Sequence, residues 1–489
     1  MRKFALPVAI GISLACAVAQ AQTLDSQHIG NGAITTVTGP APAEPGEWKL
    51  GFSGFFRAPM RIGMAKRENA GPGQNTWNFH QPRVPDDQYL SWLYTRNNER
   101  DWAEAFLSYG NGVVTGTVGF QAYNFTDATW NDQDAQLGIS QGWVTWKPDI
   151  GLQGARLTWK VGSFWNRYGA AGKYDAGKYD TYIFGRTHAM GETLRGEYDI
   201  ADWTLSLEHG IGAKPGHPSV APPSGFTFLH HAHAGAEYKK RIRLGAHYLA
   251  SFARDALATP AAPDGSLNVG GGEVRIDGGL LGELYVGYSR VQAKSARSVA
   301  PAIETVHSLG GGYFGLGFVE NYLGPASLGT GSLDTVEVQY DFSFGYLYRN
   351  LRVWGTEFWG DGPDCTLSLF GMHNWVHSDD PAFDGVRKLK FGGEVIYTPL
   401  SWLSAGIRGD RVMPNHRDST QSFSVLAPKI LLRSQFVTHE LFTIQYSRYF
   451  YGDNPPAPSG PIQPYGYGSP MITGRPDEHV FKVQATMWW

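Results

Sequence analysis

The chain lacks the long apolar runs from which transmembrane helices are built. Of its 489 residues 42% are hydrophobic, yet the mean hydropathy is only −0.29. Beyond residue 21, no stretch reaches the roughly 18 consecutive apolar residues that a helical span requires. A membrane can otherwise be crossed only by a closed sheet, because open strands would leave backbone amides unpaired in hydrocarbon.

Cysteine and net charge are also scarce, and their scarcity excludes several classes of protein. There are two cysteines, Cys16 and Cys365, and the formal net charge is −3. Removal of a signal peptide would leave Cys365 alone, in the loop-like segment GDGPDC, so no intramolecular disulfide is expected. The near balance of charge does not favour nucleic acid as a partner. The glycine run at 310–312 lacks the lysine and helix of a phosphate-binding loop, and we expect no cofactor.

The N-terminus has the pattern of an export signal. Arg2 and Lys3 precede an apolar stretch over 4–18, and residues 19–21 form the small-residue cleavage motif Ala-Gln-Ala. We predict a signal peptide over 1–21. The segment 22–47 is rich in Pro, Ala, Gly and Thr and is interpreted as a periplasmic leader, followed by one domain over 48–489.

Aromatic residues and glycine are abundant and are arranged with a period of two. The chain has 16 Trp, 24 Tyr, 26 Phe and 62 Gly. High aromatic content with modest hydropathy is typical of a barrel with one apolar face, one wet face and aromatic girdles. Strict alternation predicts strands over 202–211, 334–346 and 387–398. The apolar faces of these segments are Trp203, Leu205 and Leu207; Val336, Val338, Tyr340, Phe342 and Phe344; and Leu389, Phe391, Val395 and Tyr397.

Such runs are separated alternately by tight turns and long polar segments. Short turns are predicted at 110–112, at 278–279 and at Pro399-Leu400. Long connections are predicted at 66–86, 126–138, 212–225, 254–270, 292–312, 413–421 and 452–478. We therefore predict an all-β, transmembrane antiparallel barrel of about 18 strands, within a range of roughly 16 to 20, in the bacterial outer membrane.

The first and last strands carry aromatics on the face that should be wet. In the first strand, over 49–62, Phe55 shares a face with Arg57 and Arg61. In the last strand, Trp489 is predicted to face lipid as the terminal assembly signal, so Trp488 must face the lumen. Because the two ends of a barrel pair, Phe55 and Trp488 should be neighbours. An aromatic strip beside arginines suits the C–H faces and hydroxyls of a sugar, although packing at the lumen mouth explains it equally well.

Three patches resemble the maltoporin family of carbohydrate-specific channels. FSGFFR at 52–57 resembles the opening strand of that family, the closing Trp-Trp is similar, and 160–169 with 178–192 resembles its constriction loop. The resemblance implies that Phe55 and Trp488 belong to an aromatic sugar track and that Arg57, Arg167, Asp180 and Tyr182 narrow the pore. It also implies a homotrimer. The segment from Arg167 to Asp180 is longer than in the family, and the early disulfide-bearing loop is absent.

These observations favour a passive porin, with an oligosaccharide as solute and membrane lipid as surroundings. A porin for small organic anions, served by Arg57, Arg61 and Arg167, is the main alternative, and a general diffusion porin is a further one. The cluster of His230, His231 and His233 near Glu237 and His247 has metal-ligating residue types, but one strand rarely completes a ligand set, and we expect no metal. Loop Ser, His and Asp residues show no catalytic spacing, so an enzyme is not expected.

Overall fold

The computed structural model describes the strands and most short turns. The described residues are 46–64, 101–123, 136–167, 186–215, 226–254, 265–294, 303–304, 330–350, 363–379, 381, 384–413, 416–417, 419, 422–434, 439–450 and 478–489. The predicted signal peptide and nearly all of the predicted leader lie outside these residues, so their boundaries remain predictions.

The described strands form one antiparallel sheet that closes on itself. Nineteen strands are present, and all but the two-residue β12 belong to the cylinder, which gives the predicted eighteen-stranded barrel. The strands are β1 (Lys49–Gly63), β2 (Trp102–Gly110), β3 (Val114–Tyr123), β4 (Gln136–Trp146), β5 (Ala155–Arg167), β6 (Arg186–Ile200), β7 (Trp203–Pro215), β8 (Phe226–Tyr238), β9 (Ile242–Arg254), β10 (Ser266–Asp277), β11 (Glu283–Lys294), β12 (Ile303–Glu304), β13 (Thr330–Ser343), β14 (Asp364–Ser378), β15 (Arg387–Leu400), β16 (Leu403–Met413), β17 (Phe423–Ser434), β18 (His439–Phe450) and β19 (Glu478–Trp488).

The barrel closes where the two ends of the chain meet. β1 pairs with β19 on one side and with β2 on the other, and the register places Phe55 directly opposite Trp488. At the end of this seam, the backbone N–H of Gly54 donates to the carbonyl of Trp489 at 3.0 Å. The predicted neighbourhood of Phe55 and Trp488 is therefore confirmed.

Alternation determines which side chains face lipid and which face the lumen. On β13 the outward Val338 is exposed, whereas its inward neighbours Glu337 and Gln339 are buried. On β15 the outward Phe391 and the inward Lys390 show the same contrast. This is the pattern of a barrel whose outer surface is apolar and whose inner surface is polar.

The two ends of the cylinder differ in the length of their connections. At one end, here called the short-turn end, strands are joined through 111–113, 147–154, 201–202, 239–241, 278–282, 401–402 and 435–438, and through one longer segment, 344–363, which begins with a helix. At the other, the long-connection end, they are joined through 64–101, 124–135, 168–185, 216–225, 255–265, 295–329, 379–386, 414–422 and 451–477. The turn after Gly110 is confirmed, since Asn111 Oδ1 accepts hydrogen bonds from the N–H groups of Val113 and Val114 at 3.1 and 2.9 Å.

The prediction of a turn at Pro399-Leu400 was wrong. Both residues belong to β15, and the turn is formed by Ser401 and Trp402. The register with β16 shifts between Tyr397 and Leu400. Proline has no N–H to donate to a ladder, and such an irregularity accommodates it within the strand.

Two further predictions near β13 and β14 were wrong. Phe344 does not extend β13 but begins the helix α1 (Phe344–Asn350), because the Ser343 hydroxyl accepts the N–H of Tyr346 at 2.9 Å and so caps the helix. Cys365 is not in a loop: it is the second residue of β14 and pairs with Tyr397. Among the described residues, no α-helix has the length and apolar character of a membrane span.

The outer wall identifies the surroundings of the barrel. Large apolar side chains are exposed around it, among them Leu107, Leu207, Leu369, Ile407 and Phe442. A closed sheet with an apolar exterior leaves no backbone group unpaired in hydrocarbon. The chain is an outer-membrane β-barrel, and in such barrels the short turns face the periplasm and the long connections face the outside.

Candidate functional site: the inner wall

Aromatic side chains at the seam face the lumen, as predicted. Trp488 stacks on His439 of the neighbouring β18, with ring centroids 5.6 Å apart and planes 22° from parallel. Phe55, opposite Trp488, is only 2% exposed and offers no free face to a solute in this conformation. Trp489 lies on the outer wall, 5.6 Å from the exposed ring of Phe52 and directly over Gly54.

The same wall continues into a second aromatic group that the sequence analysis did not identify. The rings of Phe106 on β2 and Trp143 on β4 are 6.0 Å apart, and those of Trp143 and Phe164 on β5 are 6.4 Å apart, both edge to face. Together with Phe55 and Trp488 they form what we call the aromatic arc. The sequence did contain a signal for this group. Trp143 is two positions from the polar Thr145 and so shares its inward face, just as Trp488 shares a face with Thr486.

Glycine on β3 allows this second group to assemble. A Cβ atom at Gly119 would lie 2.9 Å from Cε1 of Phe106 and 3.2 Å from Cβ of Gln141. Phe106 therefore spans the glycine to approach Trp143. Lys160 completes the group, since its Nζ lies 4.2 Å from the ring centroid of Trp143 and 4.0 Å from that of Phe164. In this cation–π geometry the ammonium group is attracted to the ring faces, so a charged hydrogen-bond donor lies beside an aromatic surface.

Charged residues accompany the arc at the seam. Glu104 on β2 is buried and pairs in register with Phe55. Arg57 shares the inward face of Phe55 and lies opposite Thr486 of β19. The inner wall at the seam therefore combines aromatic rings with an arginine, as the sequence predicts, and with a carboxylate that it does not predict.

On β15 to β17, a few strands from the seam, the inner wall has a different character. On β16, Nε of Arg408 donates to Oδ2 of Asp410 at 2.7 Å, and these side chains are 2% and 0% exposed. Lys429 on β17 pairs with Glu394 on β15. These four residues, which we call the ion-pair cluster, adjoin buried apolar side chains on the same face, including Val425 and Leu431.

The predicted constriction residues are only partly placed by the structure. Arg57 is on β1, whereas Arg167 is the last residue of β5, next to the connection 168–185. Asp180 and Tyr182 lie outside the described residues. The four are therefore not brought together in the described part of the chain.

One long connection does return to the wall. β12, within the connection from β11 to β13, pairs with the first two residues of β6: Ile303 opposite Thr187 and Glu304 opposite Arg186. Ile303 and Glu304 therefore lie beside β6 at the long-connection end.

The histidine-rich strand is divided between the two faces. His231 and His233 face inward, and Nε2 of His231 lies 3.2 Å from Oε1 of Glu208. His247 is opposite His233 in register, and its Nε2 is 3.4 Å from Oγ of Ser289. Across the residues that the structure describes, no three His, Cys, Asp or Glu side chains are grouped so as to hold a metal ion.

Comparison with known proteins gives similarity to solved outer-membrane structures. No family model and no curated protein matches the chain. The outer membrane channel DcaP of Acinetobacter baumannii is 9% identical, with 92% of this chain and 100% of that chain covered and a TM-score of 0.38. OccD3 (OpdP) of Pseudomonas aeruginosa is 9% identical, with 93% and 95% covered and a TM-score of 0.40. OccAB2 of Acinetobacter baumannii is 10% identical, with 92% and 99% covered and a TM-score of 0.39. At such low identities and TM-scores, this likeness carries no argument about the solute.

Proposed function

We propose that this barrel is a passive porin whose preferred solute is a carbohydrate. The observation that carries the proposal is the aromatic arc on an otherwise polar inner wall, flanked by Arg57, Glu104 and Lys160. Large apolar rings on a wet face have no value for solubility. They are explained if the face binds a solute with both apolar and polar surfaces.

A sugar has both surfaces. The C–H face of a pyranose ring stacks on an aromatic plane, and its hydroxyls hydrogen-bond to carboxylate, ammonium and guanidinium groups. In this proposal the rings of Trp488, Phe106 and Trp143 stack on the solute as it passes. The neighbouring charged groups replace water as hydrogen-bond partners of its hydroxyls. Transport is driven only by the concentration gradient and includes no catalytic step.

The test is sugar block of single-channel current. The purified mature protein is placed in planar bilayers, and maltooligosaccharides and other oligosaccharides are titrated. We expect concentration-dependent block. Trp488→Ala should weaken it by about fivefold, the value of one lost aromatic contact. Trp402→Ala is the matched control, because Trp402 is 53% exposed at the short-turn end, away from the lumen.

Two results would contradict the proposal. If no sugar in the panel changes the current while small organic anions do, the cations Arg57 and Lys160 define the solute and the barrel is an anion porin. If the protein conducts without block by any solute, it is a general diffusion porin.

Three other parts of the proposal rest on sequence alone. We propose cleavage after Ala21, which N-terminal sequencing of the exported protein tests. We propose that Arg167, Asp180 and Tyr182 narrow the pore with Arg57, which conductance of the four alanine variants tests. We propose a homotrimer, which the mass of the protein–detergent complex tests.

A further inference from the structure

Basic side chains lie on the outer wall near the long-connection end. On β11 to β18, outward positions in this region carry five basic side chains, which we call the basic collar: Arg290, Lys294, Arg387, Arg411 and Arg448. In the corresponding half of β1 to β9, exposed outward side chains include the apolar Met60, Phe120, Ile139 and Ile211.

A polar cleft of about 470 Å³ lies beside two residues of the collar, Arg290 and Lys294, on the outside of the barrel. Its lining includes outward residues of four successive strands: Asn268 on β10, Arg290, Gln292 and Lys294 on β11, Ser332 on β13 and His377 on β14. Their neighbours in sequence, which face the inside of the barrel, include Val269, Val291 and Leu333 and are buried and apolar. The usual pattern of an outer-membrane barrel is thus inverted at this site.

Hydrogen bonds hold the cleft in shape. Asp334, although outward, is buried beneath its neighbours: Tyr288 Oη donates to its Oδ1 at 2.5 Å, and Nε2 of His377 lies 3.2 Å from its Oδ2. Arg290 lies 3.6 Å from the same carboxylate and donates to Oγ of Ser332 at 3.1 Å. The guanidinium is thereby positioned but still half-exposed.

The position of these groups limits what they can bind. A charged side chain on the outer wall is unfavourable in hydrocarbon and becomes tolerable only at the level of the head groups. Because long connections face outward, this level is the outer leaflet of the outer membrane. The head groups there are phosphorylated saccharides, which present phosphates to cations and hydroxyls to amides and hydroxyl groups.

We propose that this cleft binds the phosphorylated saccharide head group of an outer-leaflet glycolipid. Arg290 and Lys294 contact phosphate, and Asn268, Gln292 and Ser332 hydrogen-bond to the sugar. The cleft also contains Asp379 and Asp384, whose carboxylates accept the backbone N–H groups of Thr330 and Ser378 at 3.2 Å.

Binding of lipopolysaccharide to the full mature protein in detergent tests the proposal. We expect the double variant R290Q/K294Q to lose affinity by about 25-fold, which is about fivefold for each cation removed near an anionic surface. Arg290→Lys should retain most of the affinity because it keeps the charge. The matched control is K239Q/K240Q, which removes two lysines from the β8–β9 turn at the opposite end of the barrel and should bind as the unaltered protein does.

A second probe distinguishes binding through phosphate from binding through other parts of the lipid. Lipopolysaccharide freed of its phosphates should bind weakly, and equally to the unaltered protein and to R290Q/K294Q. Equal affinity of the two proteins for the phosphorylated lipid would overturn the proposal. So would a change of oligomeric mass in R290Q/K294Q without a change in lipid binding, because the cleft would then be a contact between copies. Single-channel conductance is expected to be unchanged, so the result does not depend on the solute.

Discussion

Two regions of the inner wall differ in the side chains that they direct inward and in how far water reaches those side chains. The aromatic arc places rings on the wet face, with Lys160 over Trp143 and His439 against Trp488. The ion-pair cluster instead places full charges on that face and buries them, with Arg408 and Asp410 almost completely covered. Both follow from a period of two, since each strand must direct half of its side chains inward.

The difference teaches that inward does not mean solvated. In the ion-pair cluster, a charge that is removed leaves an opposite charge with little access to water, so we expect the cluster to determine stability. In the aromatic arc, Trp143 and its neighbour Lys160 are only partly buried, so removal of the indole ring leaves a charge that water can reach. We therefore expect the arc to determine solute block with a smaller effect on stability.

The largest effect is expected for Asp410→Ala. It removes the carboxylate that accepts two hydrogen bonds from the buried Arg408, and should lower the free energy of unfolding by about 3–5 kcal/mol. Urea unfolding of the barrel in detergent, followed by tryptophan fluorescence, measures this. The double variant R408M/D410L should recover most of the loss, because neither charge remains.

The control for this prediction is an exposed ion pair. Asp199 pairs with Arg156 on the inner wall, where the side chains are 41% and 50% exposed. Asp199→Ala should leave stability unchanged, since water replaces the lost partner. If Asp410→Ala is equally harmless, Arg408 reaches solvent and the contrast between the two regions fails.

The next largest effect is expected for Trp143→Leu. Leucine keeps part of the apolar volume but removes the aromatic face, so the sugar concentration for half-maximal block should rise by about fivefold. Titrated single-channel current measures this change, with Trp402→Leu as the control outside the lumen. An unchanged titration together with a weakened block in Trp488→Ala would confine the sugar track to the seam.

The smallest effect is expected for Gly119→Ala. The new methyl group meets Phe106 and forces its ring away from Trp143, with an expected cost of about 1 kcal/mol in unfolding free energy. The control is Gly116→Ala on the same strand, where a Cβ atom would have no neighbour within 4 Å. Equal stability and equal sugar block in both variants would show that the contact of Phe106 with Trp143 has no role.

Sequence patterns predicted strands better than the ends of strands. Alternation correctly divided Val338 from Glu337 and Phe391 from Lys390 because the side-chain period of a strand is fixed. The errors fell at ends: Phe344 continues the apolar period but begins a helix, since Ser343 provides a cap that alternation does not register. Pro399 signals a turn, yet a register irregularity keeps it in β15.

Within the candidate site, the seam was predictable and the rest of the arc was not. Phe55 and Trp488 had to meet because the first and last strands close the barrel. Phe106, Trp143 and Phe164 come from three strands, and their contact depends on a glycine between them and on the stagger of each strand. For Arg167, Asp180 and Tyr182 the predicted roles stay predictions.

The sequence by itself determined that the chain crosses a membrane as strands, that about 18 of them close into one cylinder, and which face of each strand is apolar. The period of two and the number of turns contain that information, because both depend on residues that are close together in the sequence. Only the tertiary structure decided which inward groups become neighbours, which charges lose contact with water, and where basic residues gather on the outer wall. Those outcomes depend on the register between strands distant in the chain, which no single strand specifies.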